Sequence, residues 1–176
     1  MTLHHFLGAN IELPVGGFGR NPTYKSLKEL ESEGISLDGH MKNIIRSESI
    51  PVYETEEDAG GIDVFHLESW YEAVKDKFST PFVYEVQGYL DTNRTALHRK
   101  ALKTLFQYMD EHLSEGDYME IYSCWDGEER EAKDDRKDVV INLRTMHFGK
   151  HIKLKNIDEL AQTFFLDDKQ FVLIKK

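Results

Sequence analysis

Hydrophobic and polar residues alternate most regularly over positions 82–90. Tyr84 and Val86 fall on one face of an extended chain, whereas Glu85 and Gln87 fall on the other. A period of two is typical of a strand that has one face toward an apolar core. The pattern therefore predicts a strand over 82–90.

The next pattern has the longer period of a helix. Apolar residues recur at intervals of three and four positions over 93–114, and Gly116 is typical of the position just after a helix. The candidate N-caps of this helix are Asp91, Thr92 and Asn93. A second β-prone segment follows at 118–125. If strands 82–90 and 118–125 share a sheet, they should run parallel, with the helix as a right-handed crossover between them.

Shorter patterns predict the remaining elements. The further strands expected are 2–7, 50–54, 62–67, 139–148, 151–154 and 170–174. The further helices expected are 23–33, 68–78 and 157–164. Strands 50–54 and 62–67 should pair with each other, and 139–148 should pair with 151–154. In helix 68–78, Trp70 recurs with other apolar residues at helical spacing. Most aromatic residues of the chain are expected in the core, and a few could form an interface hot spot, but the sequence does not say which.

These elements predict an α+β fold. Most strands follow one another as hairpins and one βαβ-sized unit adds a parallel pair, so we expect a mixed, mainly antiparallel sheet. The long helix, about 93–114, should pack on that sheet together with two or three short helices. The chain has 176 residues, the length of one domain, and no linker-like stretch divides it. We therefore expect a single globular domain over 1–176.

The charge balance narrows the choice of partner. There are 22 Lys and Arg residues against 32 Asp and Glu residues, so the net charge is −10. Such a chain should repel nucleic acids and anionic membranes and attract basic proteins. No stretch approaches the ~20 apolar residues of a membrane span. Cys124 is the only cysteine, which favours a reducing compartment, and we expect a cytoplasmic protein.

The surplus carboxylates concentrate in two segments, 54–63 and 126–138. Neither segment has the ligand spacing of a calcium loop, so both are expected to be solvated. Their functional interpretation is a docking surface for a basic partner protein, with Trp125 or Tyr53 as an aromatic anchor. The candidate partner-binding residues are Glu54, Glu56, Glu57, Asp58, Trp125, Asp126, Glu128 and Glu129.

The motifs for catalysis or cofactor binding are incomplete. Residues 17–22 resemble a dinucleotide-binding fingerprint, but they end in proline where that motif needs glycine. His147 and His151 have the spacing of zinc ligands on a helix, although Gly149 between them predicts a turn. Cys124 has no neighbouring base, so an inert thiol is expected. We therefore predict no catalytic residue, no metal site and no cofactor.

Two other functions stay open as alternatives. A small hydrolytic or metal-using enzyme would use His66, Glu68 and His98, gathered with other polar groups in a pocket. A ligand-binding or oligomeric scaffold would instead show an exposed apolar patch.

The long helix carries its charges in an order that opposes its dipole. Basic residues fill its first half and acidic residues follow, at a cost on the order of a few tenths of a kcal/mol for each exposed charge. The basic residues are Arg94, His98, Arg99, Lys100 and Lys103. Either the protein's own acidic segments compensate them, or an anion or an acidic partner binds at the helix start.

In its size, its acidity, its single thiol and its α+β make-up, the chain resembles the small bacterial immunity proteins that neutralise toxins. The resemblance is one of composition and covers no motif. It implies a non-enzymatic inhibitor that binds a basic toxin domain.

Overall fold

The computed structural model describes residues 2–35 and 49–176, and it has the expected α+β fold. The strands are β1 (Leu3–Ala9), β2 (Gly16–Phe18), β3 (Thr23–Lys25), β4 (Ile50–Val52), β5 (Ile62–His66), β6 (Phe82–Gly88), β7 (Tyr118–Trp125), β8 (Val139–Asn142), β9 (His147–Phe148), β10 (Ile152–Lys153) and β11 (Phe171–Lys175). The α-helices are α1 (Leu27–Ser32), α2 (Glu56–Ala59), α3 (Ala96–His112) and α4 (Ile157–Thr163). The 3-10 helices are Ser69–Lys77 and Asp135–Lys137.

Nine strands form one sheet in the order β10-β9-β8-β11-β7-β1-β6-β5-β2, and β3 pairs with β4 apart from it. Among neighbouring strands, β8 and β11 run parallel and the other described pairs run antiparallel. The prediction of a mixed, mainly antiparallel sheet is therefore confirmed.

The long helix connects two strands that lie on either side of β1. Both β6 and β7 pair antiparallel with β1, so β6 and β7 are parallel to each other, as the βαβ pattern predicts. Helix α3 begins at Ala96 with Thr95 as its N-cap, later than the caps expected at positions 91–93. Helix α4 has the predicted cap, since the Asn156 side chain accepts from the backbone N–H of Glu159 at 3.0 Å.

Helices α3 and α4 cover one face of the sheet, which we call the first face. The main core lies here, because strand alternation turns Leu7, Val86 and Ile121 toward the buried side of α3. The smaller core lies on the opposite, second face, where the 3-10 helix Ser69–Lys77 brings Val74 against the sheet. Strand β1 is covered on both sides, since Phe6 and Leu7 are both fully buried.

One predicted helix start and one predicted strand pairing are wrong. Residues 23–25 form β3 instead of a helix start, and α1 begins after Ser26, whose side chain accepts from the N–H of Glu29. Strand β4 pairs with β3, and β5 pairs with β2 and β6, so 50–54 and 62–67 do not form a hairpin. The reason is burial, because Ile62 and Val64 are completely covered only when β5 joins the large sheet.

Among the described residues, no helix is long and apolar enough to cross a bilayer.

A buried carboxylate fixes the chain that follows the 3-10 helix. Glu120 is on the second face of β7 and accepts hydrogen bonds from the backbone and hydroxyl groups of Ser79 and Thr80 at 2.6–3.2 Å. The chain at Thr80 passes close to β1, where a Cβ on Gly8 would lie 2.3 Å from the Thr80 hydroxyl oxygen. Buried carboxylates are common among catalytic residues, but the hydrogen bonds of Glu120 give it a structural role.

Glu120→Gln should destabilise the protein while leaving its shape unchanged. The amide loses the charge and turns an N–H toward groups that are themselves donors, so we expect a loss of about 1–3 kcal/mol in the free energy of unfolding. Urea denaturation measures the loss. The control Glu111→Gln changes an exposed residue of α3 and should stay within about 0.5 kcal/mol. Equal effects of the two changes would contradict the structural role of Glu120.

Candidate functional site

The acidic loop 126–138 neutralises much of its own charge. Lys133 pairs with Asp138 at 2.6 Å, and Arg136 pairs with Asp134 at 2.8 Å. Lys169, just before β11, reaches Glu128 at 3.1 Å and Glu131 at 2.5 Å. Glu128 is thus engaged within the fold, and the loop presents less negative charge than its sequence suggests.

The first acidic segment is also divided between internal and free carboxylates. Asp58 accepts from Thr55 at the start of α2 and from Asn21. Asp63 forms a two-point ion pair with Arg20, at 2.7 and 2.6 Å. The exposed carboxylates of this segment that form no ion pair with another described residue are Glu54, Glu56 and Glu57.

The basic start of α3 lies beside the protein's own acidic groups. Lys103 pairs with Asp158 in the first turn of α4 at 2.5 Å. Lys100 packs against Gly60 at the end of α2, and hydrogen bonds from Thr55 and Asn21, followed by the charge of Lys100, lower the pKa of Asp58. The compensation expected within the protein is therefore present at this helix start.

Both acidic segments lie at one end of the sheet. Helix α2 immediately precedes β5, whose first residue pairs with the last residue of β6, Gly88. Loop 126–138 follows β7, whose last residue pairs with the first residue of β1, Leu3. Strands β5 and β7 are three strand spacings apart, roughly 14 Å. The segments therefore lie at the same end of the sheet but on different faces, since α2 packs against α3 and loop 126–138 accepts a hydrogen bond from Lys77 of the 3-10 helix.

Beside loop 126–138, the second face carries a group of polar side chains on β1 and β6. Alternation along the two strands places His4, Glu85 and Gln87 on this face, and the Glu85 side chain is only 6% exposed. Its Oε1 accepts from Gln87 Nε2 at 3.0 Å and lies 3.5 Å from Nδ1 of His4. His4 Nε2 lies 3.9 Å from Asp126, at the end of β7.

Two aromatic residues of the 3-10 helix complete this site. Tyr71 lies over His4 with ring centroids 5.0 Å apart, and its hydroxyl is 3.3 Å from the imidazole nitrogens. Trp70 packs edge-on against Tyr71 and remains 68% exposed. Trp70 is therefore one of the aromatic residues that lie outside the core. A 3-10 helix has three residues per turn, which aligns Tyr71 with the buried Val74 and turns Trp70 away.

Negative charge surrounds this aromatic pair. Burial raises the pKa of Tyr71, and the carboxylates of Glu85, Asp126 and Glu129 raise it further. Neither Asp126 nor Glu129 pairs with a Lys or Arg of the described residues. We call the surface formed by His4, Trp70, Tyr71, Glu85, Gln87, Asp126 and Glu129 the Glu85 surface.

A small pocket opens on the Glu85 surface. It has a volume of about 260 Å³ and is lined by residues 2–5 of β1 and its approach and by residues 85–88 of β6. Glu85 supplies its most buried charged group. The pocket is smaller than the roughly 300–1,000 Å³ of common small-molecule sites.

The residues suggested for an enzyme are not brought together. His66 ends β5 and lines a separate pocket of about 330 Å³ with Lys75 and Tyr84. His98 lies at the start of α3, near the opposite end of β5, and its Nδ1 is 2.6 Å from the hydroxyl of Thr95. Glu68 is an exposed residue just before the 3-10 helix.

In the part of the chain that the structure describes, the two histidines considered as zinc ligands and the single cysteine also lack the neighbouring groups that metal binding or nucleophilic catalysis needs. His147 is in β9 and bonds to the Thr145 hydroxyl at 3.0 Å, whereas His151 is an exposed turn residue. Within residues 2–35 and 49–176, no three potential metal-binding side chains form a cluster. Cys124 is fully buried on the second face, and burial raises the pKa of its thiol to about 12, with smaller contributions from nearby carboxylates.

Comparison with protein-family models, with curated proteins and with solved structures finds no match for this chain. The assignment of a function therefore depends on the chemistry of the Glu85 surface.

A second histidine, His5, makes stability depend on pH. It points to the first face, opposite to His4, and its Nδ1 lies 2.8 Å from the hydroxyl of Ser123. Burial, and secondarily the charge of His4, lower its pKa from 6.5 to about 3. The folded protein therefore keeps His5 neutral, and unfolding allows it to take up a proton whenever the pH is below 6.5.

We expect stability to be lost as the pH falls from 6.5 toward 3, and to be unaffected by His5 above pH 7. The loss attributable to His5 at pH 4 is about 3 kcal/mol, at 1.36 kcal/mol per pKa unit. Urea denaturation of the wild type and His5→Gln at several pH values measures it, because the variant should have the shallower pH dependence. His151→Gln, at an exposed turn, should keep the wild-type slope. Identical slopes for all three proteins would refute a buried neutral His5.

Proposed function

We propose that this protein is a non-enzymatic acidic binding module that docks a basic partner protein on the Glu85 surface. The observation that carries the proposal is the exposure of Trp70 beside two carboxylates, Asp126 and Glu129, that have no Lys or Arg partner in the described part of the chain.

The aromatic residues give such a surface its affinity. Tryptophan, tyrosine and arginine are the side chains most enriched at the centres of protein interfaces. Trp70 leaves 68% of its surface in water, although it rests on the partly buried Tyr71. A partner that covers Trp70 would remove a large apolar area from water without reorganising the 3-10 helix, and this favours binding.

The carboxylates would supply steering and selectivity. The net charge is −10, and Asp126 and Glu129 have no Lys or Arg partner among the described residues. Glu54, Glu56 and Glu57 lie at the same end of the sheet on the side of α3, where Glu57 shares a pocket with Arg99 and Lys100. These five acidic residues are the predicted contacts that we retain. Their field would speed the encounter with a cationic protein and disfavour acidic competitors.

Three predicted contact residues have a different role in this proposal. Asp58 and Glu128 are occupied by internal contacts, so they support the surface without meeting the partner directly. Trp125 is half-buried and lies on the first face by strand alternation, so Trp70 replaces it as the aromatic anchor. Inhibition of a basic toxin domain in the cytoplasm, as the resemblance to immunity proteins implies, is the form of this function that we propose.

Affinity capture from native cell extract at low and high salt tests the proposal. We expect a stoichiometric basic protein at low salt and its loss at high salt, because screening weakens the attraction between exposed charges. Trp70→Ala should reduce the recovery of that protein at least tenfold, because an interface anchor is worth about 2 kcal/mol or more.

A charge-matched pair of double variants separates local from overall electrostatics. Asp126→Asn with Glu129→Gln should slow association with the captured protein. Glu12→Gln with Glu111→Gln makes the same change in net charge at exposed positions away from the Glu85 surface and should leave the rate near that of the wild type. Surface plasmon resonance measures both rates. Equal association rates for the two double variants would locate the docking surface elsewhere.

A second candidate function is self-association through the edge of the sheet that β8, β9 and β10 form. Val140, Phe148 and Ile152 line a groove of about 570 Å³ there, and Val140 and Ile152 are 44% and 46% exposed. Exposed apolar area of this kind favours an oligomeric scaffold. Sedimentation analysis decides between the candidates, because a dimer that Val140→Glu converts to a monomer would favour the scaffold. A monomer at all concentrations would exclude the scaffold and leave docking of a basic partner as the remaining candidate function.

A further inference from the structure

We propose that the pocket on the Glu85 surface receives one arginine side chain, whose guanidinium group donates hydrogen bonds to the Glu85 carboxylate. The inference rests on the proposed function, because the basic partner supplies that side chain. It adds the identity of the group that the site recognises.

The carboxylate of Glu85 has one oxygen with no hydrogen-bond donor among the described residues. Its side chain is only 6% exposed, and Oε1 accepts a hydrogen bond from the Gln87 side-chain amide. Oε2 accepts no hydrogen bond from the residues that the structure describes, and it is not one of their fully buried unpartnered atoms, so it reaches solvent and is accessible to a ligand. A buried carboxylate is stable only when it is paired and hydrogen-bonded, so Glu85 gains from a cationic donor that enters the pocket.

Comparison with Glu120 shows that an oxygen without a donor is a property of Glu85 and not of every buried carboxylate on the second face. Glu120 is equally buried, at 4% exposure for the residue against 5% for Glu85. Both oxygens of Glu120 accept hydrogen bonds, from Ser79 and Thr80. The second face therefore contains one carboxylate satisfied by the fold and one that leaves an oxygen available to a ligand.

The aromatic rings near Glu85 suit a flat cation. The rings of His4 and Tyr71 lie beside Glu85, and Phe65, 41% exposed, is directly opposite Glu85 on the neighbouring strand β5. A guanidinium group is planar, stacks on aromatic rings and is more weakly hydrated than an ammonium group. It also has five N–H donors, so the groups that do not reach Glu85 can face Asp126 at the rim.

The size of the pocket favours a side chain over a free metabolite. A volume of about 260 Å³ accommodates the end of one side chain. His4, which lines the pocket, contacts Tyr71 and lies 3.9 Å from Asp126, where a partner surface would dock. The pocket therefore binds one arginine side chain of the partner, while the surrounding carboxylates attract the partner as a whole.

A titration with N-acetyl-arginine amide tests the pocket without any partner protein. We expect saturable changes in the NMR signals of the Gln87 side-chain amide and of the backbone at residues 3–5. N-acetyl-citrulline amide has the same shape without the charge and should cause no saturable change. N-acetyl-lysine amide should bind at least threefold more weakly than the arginine compound, and equal binding of the two would overturn the choice of guanidinium.

Glu85→Gln provides the matched variant, since it keeps the side-chain volume and removes the charge. It should lower the affinity for N-acetyl-arginine amide at least tenfold, whereas Glu111→Gln should bind like the wild type. Unchanged affinity in Glu85→Gln would overturn the inference. If Glu85→Gln does not fold, the comparison of arginine with citrulline on the wild type still decides, because equal signal changes would exclude recognition of the charge.

The two proposals fail in different experiments. A captured basic partner that binds Glu85→Gln as tightly as the wild type would overturn the arginine pocket and leave the docking function in place. Specific binding of N-acetyl-arginine amide without any salt-sensitive partner in the extract would support the pocket and overturn the docking function.

Discussion

The burial of strand β1 on both of its faces is the constraint on which the rest of this structure depends. Phe6 and Leu7 are adjacent in sequence, point in opposite directions and are both fully buried. A strand of this kind needs a covering layer on each side. Helices α3 and α4 form one layer, and the 3-10 helix Ser69–Lys77 forms the other, shorter one. The shorter layer reaches β1 and β7 but leaves part of β6 and β5 open, and this incomplete cover creates the Glu85 surface.

The position of the shorter layer is itself determined by a polar interaction. Glu120 binds the chain at Ser79 and Thr80, and Gly8 provides the space that Thr80 occupies. The 3-10 helix that precedes this point is thereby held against Phe6 and Tyr122, with Tyr71 over His4. One buried carboxylate thus anchors the element that partly covers the other, and the site at Glu85 is a consequence of how the second core is closed.

Much of the fold could be predicted, because its main elements are governed by local patterns. Strand β7 has the predicted bounds, and the cap of α4 at Asn156 is the predicted one. The site could not be predicted in the same way. Alternation assigned Glu85 to the face away from the main core, but its burial depends on Tyr71 and His4, which are distant in sequence. The exposure of Trp70 depends on the 3-10 geometry of residues 69–77, which a period of 3.6 does not anticipate.

The distribution of charge explains why so few of the acidic residues are available to a partner. The reversed charge order of α3 requires acidic neighbours. The fold provides Asp58 from α2, beside Lys100, and Asp158 from α4, which pairs with Lys103. Loop 126–138 uses its own lysine and arginine and the adjacent Lys169 in the same manner. Internal pairing of this kind contributes little energy for each exposed pair, but it cancels the local field. The carboxylates that escape it include Asp126 and Glu129, which act on Tyr71 and belong to the Glu85 surface. Because Trp70 and the pocket at Glu85 lie within that surface, attraction and specific recognition of a cationic partner would act at the same place.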